Sequence, residues 1–166
     1  AELQQQNKKR EFSHVVFASS SGGTHAGLTL GKYIYNKTFE LVGINIDKDT
    51  NASLPFDQQI TQLIISTAKF IGLDYSFSKD ELILNSDYVG DGYGVVGPQE
   101  NEAIALTAKL EGILLDPVYT SRAMAGLIDL IRSGKIGKSD QVLFWHTGGA
   151  PSLFAYADDL DYSLSD

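Results

Sequence analysis

The stretch H-V-V-F-A-S-S-S-G-G-T-H-A-G, residues 14–27, decides how the rest of the chain is read. Apart from its leading histidine, which has no partner in view, the run 14–18 is continuously apolar rather than alternating. That is the pattern of a strand buried on both faces of a parallel sheet. The turn that follows is built from serine and glycine and leads into a helix predicted to begin near Thr24. Successive backbone N–H groups at such a turn, backed by the positive end of the helix dipole, form an anion site. Gly22 and Gly23 let the backbone approach a ligand, while Ser20, Ser21 and Thr24 add hydroxyl donors. A turn in which Ser and Thr serve only as helix caps stays open at this point, with a small phosphorylated ligand as the favoured reading.

Working outward, the runs 41–46, 113–115 and 141–145 are also short and continuously apolar, and are predicted as further strands. Between them lie three helical stripes. Ile60, Leu63, Ile64, Thr67, Ala68 and Ile71 form the first, stopped by Gly72. Ala103, Leu106, Thr107 and Leu110 end at Gly112, and Met124, Leu127, Ile128 and Ile131 end at Gly134. Strands alternating with helices predict one α/β domain over 1–166, a three-layer open and mostly parallel sheet with helices on both faces. Residues 74–85 leave room for a short extra strand pair, and the acidic tail 158–166 is expected to fray.

Four loops share a character: S-S-S-G-G-T (19–24), G-D-G-Y-G (90–94), D-P-V-Y-T (116–120) and H-T-G-G (146–149). In a parallel sheet the turns at the carboxyl ends of the strands share one edge, and ligands bind there. Together these loops predict one polar, mostly neutral pocket. A dinucleotide is the rival ligand, with Asp47 placed for a ribose, but G-x-G-x-x-G and the Walker pattern are both absent.

The 166 residues carry a formal net charge of −8, which disfavours nucleic-acid and anionic-membrane partners. The polar opening 1–10 does not read as a signal peptide, and no apolar run reaches the roughly 20 residues that span a bilayer. Cysteine is absent, which removes disulfides and thiolate chemistry; the expected compartment is the cytoplasm. His14, His25 and His146 are scattered and do not make a metal site. His25 reads as incidental to the cradle, His146 as a residue that packs or bonds to backbone, and Trp145 as core. Asp116 before Pro117 is expected to brace a turn. Ser19 to Ser21 lack the nucleophile-elbow setting of a serine hydrolase.

The four motifs, with E-G-I-L-L-D-P-V-Y-T-S-R-A-M-A-G-L (111–127) and H-T-G-G-A-P-S-L-F-A-Y (146–156), occur in one order. In that order and spacing they resemble the D-cysteine desulfhydrase and 1-aminocyclopropane-1-carboxylate deaminase family. That family lies within the tryptophan synthase β-like group of pyridoxal-phosphate enzymes. The resemblance covers about residues 14–156 and implies pyridoxal 5′-phosphate as cofactor, a small amino-acid substrate and a homodimer when full length. It implies that residues 20–24 hold the cofactor phosphate, that Tyr93 faces the substrate, and that Tyr119 lies near the cofactor and moves protons. Thr147 would stand against the pyridine nitrogen. The deaminase type has a glutamate where this chain has Thr120 and a leucine where it has Thr147, so the pair tilts toward the desulfhydrase type. The reaction implied is D-cysteine to pyruvate, sulfide and ammonia.

One departure is severe. The family's cofactor lysine lies in an earlier segment, and none of the ten lysines here falls in a family motif. The expectation is therefore a fragment of a larger two-domain enzyme, inactive by itself. Two readings from other classes remain: a non-catalytic module that binds phosphate or a phosphorylated metabolite, and a nucleotide-binding domain using Asp47.

Overall fold

The computed structural model describes residues 1–6, 11–48 and 53–160. In chain order they form α1 (Glu2–Gln6), β1 (His14–Ser19), α2 (Gly23–Ile34), β2 (Glu40–Asn45) and α3 (Phe56–Phe70). Then come β3 (Ile83–Asn85), α4 (Pro98–Glu111), α5 (Thr120–Arg132) and β4 (Val142–Phe144), with 3-10 turns at Lys79–Glu81 and Ala150–Tyr156. The sheet has four strands in the order β3-β2-β1-β4, all parallel. His14 aligns with Glu40 and Val142, and Ser19 aligns with Asn45.

β1 is central and reads as it must: Val15, Val16 and Phe17 have no solvent exposure. Alternate residues face opposite layers. Val15 and Phe17 join Leu41 and Leu28 on the side of α2, and α3 packs there through Ile60, Ile64 and Ala68. Val16, Ala18, Val42 and Ile44 face α5 through Ala123, Leu127 and Leu130. α4 lies against α5 through Ala103, with Leu115 and Ala125. Each fully buried Val, Leu, Ile or Phe side chain among these contributes about 1.5–3 kcal/mol. The three-layer architecture predicted above is the one observed. Among the described residues, no helix is long and apolar enough to cross a membrane.

Two strand assignments are corrected. Residues 113–115 form no strand; they are an extended link between α4 and α5. Ile113 and Leu114 are about half exposed while Leu115 is fully buried, so the segment anchors at one point instead of entering the sheet. The Leu114 carbonyl is met by the His146 ring rather than by a ladder partner. The fourth strand is 83–85, which pairs parallel with β2. Residues 74–85 thus hold a 3-10 turn and one strand of the main sheet, not a separate pair. The last six residues of the predicted acidic tail, 161–166, lie outside the described residues. The three helices with predicted glycine stops end one or two residues before Gly72, Gly112 and Gly134, each at positive φ.

Candidate functional site

Chain order sets where the site is. From β1 the chain passes through α2 and α3 to β2 and β3 on one side, and β4 joins β1 on the other, after α4 and α5 have covered the opposite face. The loops leaving β1 and β4 diverge, and a crevice opens between them. That crevice is a cavity of about 310 Å³, small among ligand pockets. One wall is the segment 18–25, the other is Thr147 to Gly149, and Asp116 and Tyr119 close it.

The first wall is a helix start left uncapped by side chains. Gly22 turns at φ +80°, packing so closely on α3 that an added Cβ would lie 3.1 Å from Ile60 Cγ1. The helix ladder starts with the Ala26 N–H donating to the Gly22 carbonyl at 2.8 Å. The amides of Gly23, Thr24 and His25 fall outside that ladder. Among the described residues, the hydroxyls of Ser20, Ser21 and Thr24 make no hydrogen bond, and no lysine or arginine lines the cavity. The donor set is neutral and unspent, which suits a phosphate dianion held by amides and a helix dipole.

The floor is a brace centred on Asp116, which is 1% exposed. Its Oδ2 accepts the Val118 and Tyr119 amides at 2.9 and 2.8 Å, and its Oδ1 accepts the Thr120 amide and hydroxyl at 2.7 and 2.6 Å. The Asp116 amide donates to Thr120 Oγ1 at 2.8 Å. Thr120 is therefore buried inside the brace, its hydroxyl committed in both directions, and it is not among the residues lining the cavity. Gly149, at φ +94°, sits over the same carboxylate, where a Cβ would come within 2.7 Å of Asp116 Cβ. Asp116 braces its turn, as expected, and it also ties the Tyr119 and Thr147 loops together.

Tyr119 shares a hydrogen bond with Tyr93, their rings meeting edge to face at 5.7 Å. That bond first, then burial, pushes the Tyr119 hydroxyl up to about 12. Thr147 lines the cavity, and its neighbour His146 accepts the Gly148 amide at Nδ1, leaving Nε2 to donate to the Leu114 carbonyl. Ser20 to Thr24, Tyr119 and Thr147 are thus brought to one crevice, with Tyr93 at its edge. Asp47 lines a different cavity, beside Asn45 and Ser86. Trp145 packs with the Val15 and Phe17 cluster, as predicted. His14 does find neighbours: Ser13 Oγ at 2.9 Å, Glu40 at 3.6 Å and Asp140 at 3.9 Å.

Of two features the sequence reading misses, one, Arg122, goes unread and the other, His25, reads as incidental. Arg122, 1% exposed, holds Glu100 at 2.7 Å and donates to the carbonyls of Ile46, Gly92 and Val95. It pins the loop carrying Tyr93 to the end of β2 and to α4. The available signal was a lone arginine among small residues on a helix face otherwise destined for the core. The second feature is His25, fully buried in the cavity wall, with its pKa lowered to about 4 by burial. Its unfolded value is near 6.5, so between those two pH values the unfolded chain takes up a proton that the folded chain refuses. Stability should therefore fall as pH drops from 6.5 to 4, by about 3 kcal/mol from this group. Urea titrations of the wild type and His25→Gln at pH 7 and pH 4 check this, the variant losing less.

The comparisons match this geometry. A family model described as pyridoxal-phosphate dependent enzyme matches residues 1–148. The chain is also similar to the crystal structure of an ACC deaminase homologue, at 35% identity and a TM-score of 0.83. That match covers 95% of this chain and 46% of the other, so this chain spans about half the length of that relative. A family match over most of the length, with an all-parallel sheet like that of the homologue, places this chain among the pyridoxal-phosphate-dependent enzymes.

Proposed function

We propose that this chain supplies the phosphate-holding and ring-facing part of a lyase of the D-cysteine desulfhydrase type, converting D-cysteine to pyruvate, sulfide and ammonia. Pyridoxal phosphate, when bound, supplies an electron-withdrawing ring that stabilises negative charge left at the substrate's α-carbon. Residues 20–24 would hold its phosphate through amides and hydroxyls. Thr147 offers a neutral hydroxyl where an acid would strengthen electron withdrawal.

The observation that carries the desulfhydrase reading is that, among the described residues lining the cavity, none offers a free carboxylate. Asp116 is the one carboxylate among the described lining residues, and four N–H and O–H donors occupy it. A weaker electron sink suits loss of sulfide from a β-carbon better than opening of a cyclopropane ring. Tyr119, held protonated at neutral pH, is placed to give a proton rather than to take one.

Turnover requires a lysine, and among the described residues none lines the cavity. The reaction is accordingly assigned to a full-length product in which another segment provides that lysine, with homodimeric assembly as the accompanying expectation. The test is to assay that product with added cofactor. Sulfide released from D-cysteine supports the proposal. Ammonia and 2-oxobutanoate from 1-aminocyclopropane-1-carboxylate, without sulfide from D-cysteine, would favour the deaminase activity, which the ACC deaminase homologue keeps in view. Cofactor binding with neither product would favour a non-catalytic phosphate-binding module.

A further inference from the structure

Ser19 ends β1, is 1% exposed and lines the cavity just before the cradle begins. Its Oγ lies 3.2 Å from Nδ1 of His25, the one partner its side chain has among the described residues. The His25 ring is seated with care. It stands edge-on to Phe17 at 4.9 Å, and strand β2 is bare beneath it. A Cβ at Gly43 would lie 2.8 Å from both Nδ1 and Cε1. The far nitrogen, Nε2, is buried with no partner. An imidazole built into an apolar core with one nitrogen orphaned asks for an explanation.

Counting donors supplies it. Burial keeps the ring neutral, so one nitrogen carries a proton and the other a lone pair. If Ser19 donates to Nδ1, the proton sits on Nε2 and becomes a buried N–H with no acceptor, the rarest of unsatisfied groups. If Nδ1 carries the proton and donates to Ser19 Oγ, the orphan is only a lone pair. The unspent donor is then the Ser19 hydroxyl, and that residue lines the cavity. The second arrangement leaves the unmet donor on the Ser19 hydroxyl, at the start of the cradle, instead of on the buried and partnerless Nε2.

We propose that Ser19 is an additional anion donor of the cradle and that His25 is the positioning residue that turns its hydroxyl proton toward the ligand. The proposal rests on the cradle being the cofactor-phosphate site. It lengthens the donor set by one buried hydroxyl and gives His25 a role in selecting an acceptor-only ligand, a phosphate dianion, over one that must donate.

Two measurements on the 166-residue chain test it. Nitrogen-15 spectra of the His25 ring at pH 7 report which nitrogen is protonated and need no variant; the proposal requires Nδ1. Calorimetric titrations with pyridoxal phosphate and with pyridoxal then compare the wild type with Ser19→Ala. Loss of a hydrogen bond to a charged group should weaken the phosphorylated ligand roughly ten- to hundredfold. Pyridoxal, which lacks the phosphate, should bind both proteins alike, whereas a merely structural defect would weaken both ligands. A proton on Nε2, an unchanged affinity for pyridoxal phosphate, or equal losses for the two ligands would overturn the proposal while leaving the cradle reading intact. A wild type that does not distinguish the two ligands would overturn both.

Discussion

Arg122→Met is expected to destabilise the fold by about 3–5 kcal/mol, the range for breaking a buried ion pair from one side. The substitution leaves Glu100, 3% exposed, without the guanidinium at 2.7 Å. It also strips hydrogen bonds from the carbonyls of Ile46, Gly92 and Val95. For a chain of this size the midpoint of thermal unfolding should fall on the order of 10 °C. The defect should also be local. Hydrogen exchange at Gly92 and Val95 should accelerate, and the Tyr119 hydroxyl, raised first by its bond to Tyr93, should return toward its ordinary value as Tyr93 loses its anchor. Adding Glu100→Leu should recover part of the loss, because the stranded charge goes while the three carbonyls stay unmet. A loss below about 1 kcal/mol, the size of a surface pair, would mean that Arg122 does not hold this loop.

Asp116→Ala should have the second large effect. Val118 and Thr120 are buried, and removing the carboxylate leaves their amides, the Tyr119 amide and the Thr120 hydroxyl without an acceptor. With the two buried residues dominating, the cost is roughly 3–6 kcal/mol. Binding should suffer beyond stability, since the same carboxylate sets Tyr119 from one side and supports Gly149 from the other. Asp116→Asn, which keeps shape and some acceptor capacity, should be intermediate. Denaturant titrations of the three proteins, with cofactor affinity measured where each is folded, give the order. An alanine variant as stable as the asparagine variant would contradict the brace.

How much of this was legible follows from how local each signal is. β1 and its turn could be read because the strand's interior, Val15 to Ala18, is wholly apolar and a glycine-serine turn has few other uses. That residues 20–24 and the two loops carrying Tyr119 and Thr147 meet at one crevice followed from strand-end chemistry and family resemblance. I-L-L at 113–115 and the short run at 83–85 look alike in sequence, and packing separates them. One is pulled out of the sheet by a single anchored leucine and a histidine on its carbonyl. The other is drawn in beside β2. The family resemblance implies a ring-facing role for Thr120, but a helix start turns adjacent side chains in different directions, and Asp116 claims this one. A lone arginine on a core-facing helix signals that Arg122 is buried, but its partners lie 22 to 76 residues away and no spacing announces them.

The central claim is that a phosphate monoester is gripped at the start of α2, in the crevice between β1 and β4. Amide chemical-shift mapping during titration with pyridoxal 5′-phosphate tests it most directly. The predicted result is a set of shifts concentrated at residues 20–25 and 147–149, reproduced in the first segment by inorganic phosphate and lost there with pyridoxal. Shifts centred instead on the cavity beside Asn45 and Asp47, or shifts at 20–25 that pyridoxal produces equally well, would contradict it.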